Sequence, residues 1–154
     1  MNYKKYLTNA KFASSIRLGV GIIIYASDKL LLERRADCHK WGLIGGGVEV
    51  GENVEDAALR ECFEETSIKL KKENLEFFNL YSDVNQHRII QYDDNCFHAI
   101  DIIYLYKMLE DNLEIIKSKE SLAISFFSFK SLPHDIVPPA IDPIADFIKS
   151  EFKL

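Results

Sequence analysis

The chain has 154 residues, of which 47% are hydrophobic and 28% are charged, and its formal net charge is −5 at neutral pH. That length suits one domain, residues 1–154, with a substantial core, and no apolar run reaches the roughly 18 residues that a membrane-spanning helix needs. An acidic chain lacks the basic surface typical of proteins that bind duplex nucleic acid. We therefore expect one domain that binds neither membrane nor duplex and, because residues 1–12 lack the apolar core of a signal peptide, a cytoplasmic location.

The three cysteines, Cys38, Cys62 and Cys96, have an odd count and no CxxC spacing, which argues against a disulfide framework. Cys62 is expected to be buried. Cys38 lies next to His39, but no second pair of ligands follows at the spacing of a zinc site, so a zinc centre is disfavoured.

Two predictions concern the first third of the chain. Residues 1–14 carry apolar side chains near helical spacing and predict an N-terminal arm or a short helix, which either covers an edge of the fold or contacts a second subunit. Residues 16–25 and 30–35 are rich in branched side chains and predict a β-hairpin. Alternation places Glu33 and Arg35 on the same face as Leu31, where charged groups are unexpected unless they serve a site.

A helix is predicted to begin near Val54. Asn53 is the expected N-cap, and an apolar stripe of Val54, Ala58 and Cys62, with Leu59 and Phe63 beside it, should pack on the core. Before this helix, residues 41–47 form a glycine-rich approach in which backbone groups can come close to a ligand. Trp41 is expected to pack beneath that segment.

The opposite face of this helix carries Glu61, Glu64 and Glu65 within an arc of roughly 100°. Like charges at these spacings, close to the negative end of the helix dipole, cost on the order of 1–2 kcal/mol in total, and Arg60 offsets only part of that cost. A hard divalent cation such as Mg²⁺ or Mn²⁺ would reverse the balance, because it prefers oxygen ligands. The alternative is a solvated acidic face.

The remainder of the chain predicts strands at 75–84, 89–92, 98–109 and 122–129 and a helix at 141–150, while the prolines of 131–140 argue against regular structure there. The apolar run at 98–109 suggests a central strand buried on both faces. Asp101, inside it, is either a hydrogen-bonded core group or a cleft residue. The mixture of strands and helices predicts an α/β fold.

The spacing of the charged residues resembles one known motif. From Gly46 the chain reads Gly, five residues, Glu52, seven residues, then RECFEETSI, which resembles the Nudix box G-x5-E-x7-R-E-U-x-E-E-x-G-U over residues 46–68. Ser67 stands where the family has glycine after the helix, so a left-handed residue there would carry strain. Ile44 is a second departure, since relatives usually carry proline at that position.

The resemblance to Nudix (MutT-like) hydrolases implies an α/β/α sandwich with a mixed sheet between helices. It also implies a pyrophosphohydrolase that uses Mg²⁺ or Mn²⁺ to cleave a nucleoside diphosphate linked to another group. By the same resemblance Glu61, Glu64, Glu65 and the carbonyl of Gly45 are metal ligands and Arg60 orients the glutamates. Arg35 contacts a small-molecule nucleotide substrate.

Glu120, in the loop before the strand at 122–129, is the candidate general base, with a solvated loop acid as the alternative. The alternative to an enzyme is a non-catalytic nucleotide-sensing module on the same fold, although such proteins usually lose box glutamates; an isomerase of isopentenyl diphosphate type has little matching sequence. The nucleotide and the number of metal ions stay open. Homodimers are common among relatives, so a homodimer stays open too.

Overall fold

Nine strands of the described residues form one curled mixed sheet, with a helix packed on each face. The structure is a computed structural model that describes residues 4–111 and 114–152. The strands are β1 (Lys5–Leu7), β2 (Ser15–Ala26), β3 (Lys29–Arg35), β4 (Trp41–Gly42), β5 (Ile44–Gly47), β6 (Glu76–Tyr81), β7 (Ile89–Tyr92), β8 (Asn95–Lys107) and β9 (Ser121–Ser128). The helices are α1 (Val54–Thr66) and α2 (Pro138–Phe152). The α/β fold expected from the sequence is confirmed.

The two longest strands form the centre of the sheet. β2 and β8 run parallel and pair from Ser15 with Phe97 to Tyr25 with Lys107. The other edge of β8 is covered by β7 and β6, so β8 is the central strand that its apolar run predicts. On its far side β2 pairs with β3 near the hairpin turn and with β5 nearer its start. β5 therefore leads directly from the middle of the sheet into α1.

Alternate residues of β2 pack into two separate hydrophobic cores, one on each face of the sheet. Ile22 and Ile24 are fully buried on the face covered by α1, whose side chains there include Ala57, Ala58 and Cys62. Ile23 lies on the other face, against Ile144 and Phe147 of α2. Burying an aliphatic side chain of this size contributes roughly 1.5–3 kcal/mol. Both helices are thus fixed to the sheet, and the acidic side of α1 is held against β5.

Two expectations for the chain ends are wrong in part. Within the segment predicted as an arm or a short helix, Lys5–Leu7 form the strand β1 and not a helix. β1 pairs with β7 and covers that edge of the sheet, which is one of the two roles expected of the segment; residues 1–3 lie outside the described residues. The prolines of 131–140 do not prevent a helix, because α2 begins at Pro138. The N–H groups in the first turn of a helix have no acceptor within the helix, so proline, which lacks an N–H, is tolerated there.

The ends of α1 differ from expectation at one residue. Asn53 precedes the helix, but its side chain accepts no capping hydrogen bond and instead donates from Nδ2 to Asp56 Oδ2 at 3.3 Å. Ser67 closes the helix with φ of 62°, in the left-handed region expected for the family glycine. Of the predicted stripe, Ala58 and Cys62 are buried and Val54 packs against the same core, whereas Phe63 is 46% exposed and Ala57 is buried in addition. In the described parts of the chain, neither helix has the length and apolarity to cross a membrane.

Candidate active site

A cleft of about 410 Å³ opens where β2, β3 and β5 diverge, and it is bounded by α1, β8 and the start of α2. Five of the seven candidate catalytic, metal-binding and substrate-binding residues line it: Arg35, Gly45, Glu61, Glu65 and Glu120. A smaller hollow joins Glu64 to Glu61, Glu65 and Glu120. The fold therefore brings the helical glutamates, the strand arginine and the loop glutamate to one place.

Arg60 ties α1 to the loop that precedes it. Its Nε and Nη2 donate to the Glu52 carboxylate at 2.7 and 3.0 Å, and Nη2 also donates to the Gly47 carbonyl at 3.0 Å. Hydrogen bonds from Arg60, followed by the Glu49 backbone, lower the pKa of Glu52 to about 2. This double pairing keeps Glu52 ionised and fixes the loop against the helix, so Glu52 has a structural role at the turn.

Arg60 also reaches the first two glutamates of the acidic face. Its Nη1 donates to Glu61 Oε1 at 3.0 Å and to Glu64 Oε2 at 3.3 Å. Glu61 is largely buried and lies over Gly46, where an added Cβ would overlap the Glu61 carboxylate. Burial raises the pKa of Glu61; Arg60 opposes that shift, and the charges of Glu64 and Glu120 add to it. Glu64 is 56% exposed at its side chain and faces the smaller hollow.

The third glutamate forms a buried pair with a carboxylate from another strand. Glu65 is 5% exposed and Glu33 is 2% exposed. Glu33 Oε1 accepts a hydrogen bond from Ser121 Oγ at 2.9 Å, but Glu33 Oε2 has no partner among the described residues. Glu65 Oε2 accepts from the Gly45 N–H at 3.4 Å. Burial, followed by the neighbouring Glu33 carboxylate, raises the pKa of Glu65 to about 11.

The donor set fits a divalent cation in its chemistry. Carboxylate oxygens are the ligands that Mg²⁺ and Mn²⁺ prefer, and among the described residues the Glu33 oxygen near Glu65 has no hydrogen-bond partner. The side chains do not form a finished cage: within residues 4–111 and 114–152, no three His, Cys, Asp or Glu side chains are already grouped to hold an ion. Glu61 and Glu64 would exchange contacts with Arg60 for contacts with the ion.

Arg35 lies in the cleft within a chain of charges. Its Nε and Nη2 donate to the Asp37 carboxylate at 3.0 and 2.9 Å, and Lys4 Nζ lies 2.9 Å from the same carboxylate. Burial opposes ionisation of Asp37, but the hydrogen bonds and charges of Arg35 and then Lys4 lower its pKa overall. The guanidinium is therefore held in a fixed orientation on the cleft wall, as a group that contacts substrate would need to be.

Asp101 combines the two roles left open from the sequence. It lines the cleft, and its Oδ2 accepts a hydrogen bond from Arg88 Nη1 at 2.7 Å. Arg88 is fully buried and also donates from Nη2 to the Pro139 carbonyl at 2.8 Å. Burial raises the pKa of Asp101, and the charges of Arg88 and Arg35 oppose that shift.

Sequence reasoning placed Trp41 correctly and overlooked three charged residues. Trp41 packs edge-on against Phe127 at a centroid distance of 4.8 Å and joins the core on the α2 side. The alternation of Glu33 with Leu31 indicates a charged group on a buried face, but it does not predict the pairing of Glu33 with Glu65. Asp37 and Arg88 were missed, and the only available signal for Arg88 was that a buried Asp101 needs a cationic partner.

Comparisons with known proteins agree with the fold and the motif. A family model described as NUDIX domain matches residues 15–147. The chain is 47% identical over 45 residues to a putative 8-oxo-dGTP diphosphatase of Bacillus subtilis, covering 29% of this chain and 30% of that protein. It is 42% identical over 57 residues to the dihydroneopterin triphosphate diphosphatase of Escherichia coli, covering 35% and 38%. The chain thus spans about a third of the length of these curated relatives.

A solved structure extends the likeness to the whole fold. The MutT NUDIX hydrolase of Burkholderia pseudomallei superposes with a TM-score of 0.70 at 24% identity, covering 86% of this chain and 98% of that one. The family model alone spans well over half of the chain. The chain therefore belongs to the Nudix (MutT-like) hydrolase family.

Proposed function

We propose that this protein is a metal-dependent pyrophosphohydrolase that cleaves a phosphoanhydride bond in a nucleoside diphosphate joined to another group. The observation that carries the proposal is that Glu61, Glu64 and Glu65 line one hollow, and that Glu61 and Glu65 also line the adjoining cleft together with the buried Glu33. So many carboxylates at one place oppose folding unless a cation neutralises them. A phosphate-bearing substrate needs the same cation.

The residues of the chain divide the work. Glu61, Glu64, Glu65 and the Gly45 carbonyl would hold Mg²⁺ or Mn²⁺, which when bound supplies charge neutralisation at the phosphates and a more acidic water. Before an ion binds, Arg60 orients Glu61 and Glu64 through its Nη1 contacts. Arg35, fixed by Asp37, contacts the phosphates or the base. Water attacks phosphorus, its proton passes to the Glu120 carboxylate, and the leaving phosphate departs with the electron pair of the broken P–O bond.

The class of substrate to test first is the 5′-triphosphates. The relatives described above are named for 8-oxo-dGTP and for dihydroneopterin triphosphate. A nucleoside triphosphate is a nucleoside diphosphate joined to a further phosphate, so it falls within the proposed class. Hydrolysis would release a nucleoside monophosphate and pyrophosphate.

The test is a panel of nucleoside triphosphates and other nucleoside diphosphate derivatives with Mg²⁺ or Mn²⁺ and with EDTA. Glu64→Gln should lower turnover by roughly 100-fold or more, because it removes a ligand charge without changing shape. Glu73→Gln is the matched control, since Glu73 is exposed on a short 3-10 turn outside the cleft. Turnover equal in all three proteins would contradict the proposal, and tight nucleotide binding without turnover would favour the sensing module.

A further inference from the structure

The cleft contains a second acidic feature that the helix motif does not explain. Asp101 of β8 pairs in register with Gly19 of β2, and Gly19 pairs with Gly47 of β5. A Cβ at position 19 would overlap Asp101 Oδ1. The carboxylate therefore lies across the surface of β2, in space that only glycine leaves open.

Asp101 is held there by an unusual support. Pro143 lies within α2 and lacks an N–H, so it cannot bond to the Pro139 carbonyl one helical turn earlier. Arg88 Nη2 donates to that carbonyl instead, and its guanidinium lies 5.3 Å from the centroid of the Tyr81 ring. Arg88 Nη1 then fixes Asp101 Oδ2. A buried ion pair adds little to stability compared with apolar residues of similar size. Stability alone therefore does not explain why Arg88 and Asp101 are held in this orientation.

One side of the Asp101 carboxylate faces the cleft. The side chain is 27% exposed, and among the described residues Oδ1 accepts no hydrogen bond. A carboxylate paired with a guanidinium, as Asp101 is with Arg88 at 2.7 Å, accepts hydrogen bonds, and each of its oxygens has two lone pairs. Oδ1 and the free lone pair of Oδ2 are therefore two adjacent acceptors. They would repel a phosphate and attract two adjacent N–H donors.

The surroundings suit a flat heterocycle. Apolar residues that share the cleft lining with Asp101 include Leu43, Ile90, Phe97, Ala99, Val137 and Ala140. Neighbouring strands lie about 4.8 Å apart, so Asp101 on β8 is roughly 10 Å from Gly47 on β5 across the sheet. A nucleotide can bridge that interval, with its ring at Asp101 and its phosphates at Glu61.

We propose that Asp101, held by Arg88, selects substrates whose ring presents a ring N–H beside an amino group, as the 2-amino-4-oxopyrimidine ring of guanine and of pterins does. Adenine and cytosine place a lone pair beside their amino group, and that lone pair faces the second carboxylate oxygen unfavourably. The substrates named for the two relatives, 8-oxo-dGTP and dihydroneopterin triphosphate, both contain this ring. The inference rests on the proposed function and names the substrate class of the same cleft.

The test measures how tightly nucleoside monophosphates bind to the wild-type protein, by NMR titration in the absence of metal. GMP should bind at least roughly 10-fold more tightly than IMP, which lacks the amino group, and than AMP, because a site built for a hydrogen bond rejects the analogue without it. Neopterin monophosphate distinguishes a pterin preference from a guanine preference. Equal affinities for GMP, IMP and AMP would overturn the inference. The inference would also be overturned if replacing GMP by dGMP weakened binding more than replacing GMP by IMP does, because Asp101 would then contact the ribose.

The variant test uses Asp101→Asn, which keeps an acceptor for Arg88 and replaces the other oxygen by an amide donor. The ratio of GMP to IMP affinity should fall to about one, whereas Asp146→Asn, which removes the carboxylate bonded to Tyr81, should leave it unchanged. If Asp101→Asn does not fold, the wild-type comparison of GMP with IMP decides. Binding is measured without turnover. An absence of hydrolysis would therefore refute the proposed function, whereas the measured affinities would still decide this inference.

Discussion

The buried pair of Glu33 and Glu65 makes a quantitative prediction about the metal-free protein. The pKa of Glu65 is raised from 4.5 to about 11, so Glu65 keeps its proton in the folded chain at pH 7.5, while the unfolded chain ionises. Three units between 4.5 and 7.5 correspond to about 4 kcal/mol of lost stability at pH 7.5. The cost of burying Glu65 beside Glu33 is therefore absent below pH 4.5 and grows as the pH rises through neutrality.

Glu33→Gln should remove part of that cost. The amide oxygen can still accept from Ser121 Oγ, and the amide nitrogen can donate to Glu65 where Glu33 Oε2 now has no partner. We expect a gain of about 1–3 kcal/mol at pH 7.5, equivalent to roughly 3–10 °C in Tm for a domain of this size.

The direction of the pKa shift of Glu65 determines how the stability of the protein changes with pH. Because the folded pKa of Glu65 lies above the unfolded one, its contribution to stability is fully present below pH 4.5 and is lost as pH rises towards 11. The advantage of Glu33→Gln should thus be small at pH 5 and large at pH 8. Urea unfolding in EDTA at both values measures it, with Glu73→Gln as the control. A variant that is less stable than wild type at both values would refute the reasoning.

Three further predictions concern single residues. Ser67→Gly should stabilise the protein by about 0.5–1 kcal/mol, because it relieves the left-handed φ of 62°; a lower urea midpoint would contradict this. Arg60→Lys should weaken Mn²⁺ binding by roughly 10- to 100-fold, measured by electron paramagnetic resonance, since it loses its fixed contacts to the carboxylates, and unchanged affinity would refute the orienting role. Gly46→Ala should lower kcat/KM by roughly 100-fold through overlap with Glu61, and Gly47→Ala, whose methyl group meets nothing within 4 Å, should cost far less; equal losses would count against this.

Local sequence patterns predicted those parts of the molecule that local physics determines. The start of α1 at Val54, the strand at Ile89–Tyr92 and the left-handed Ser67 all follow from spacing, turn chemistry or the box motif. The grouping of Glu61 and Glu65 in one cleft with Arg35 was also expected, because alternation on β3 and helical spacing on α1 each point their side chains to a single side.

Long-range partners account for most of what sequence reasoning missed. Arg88 and Asp101 are joined only when β8 and α2 meet, and the free Pro139 carbonyl depends on Pro143 four residues later. Residues 5–7 form a strand that local sequence does not predict, because it exists only through pairing with β7. At Asn53 the nearby Asp56 carboxylate accepts from the side chain that was expected to cap the helix.

The central claim is that the glutamates of α1 hold a divalent ion at the mouth of the cleft. An anomalous difference map from crystals soaked in MnCl₂ with a non-hydrolysable triphosphate analogue tests it most directly. The account predicts a peak bound by oxygens of Glu61 and Glu65, with the analogue's phosphates on its other side. A map with no peak there, in which Glu61 and Glu64 keep their contacts to Arg60, would contradict the account.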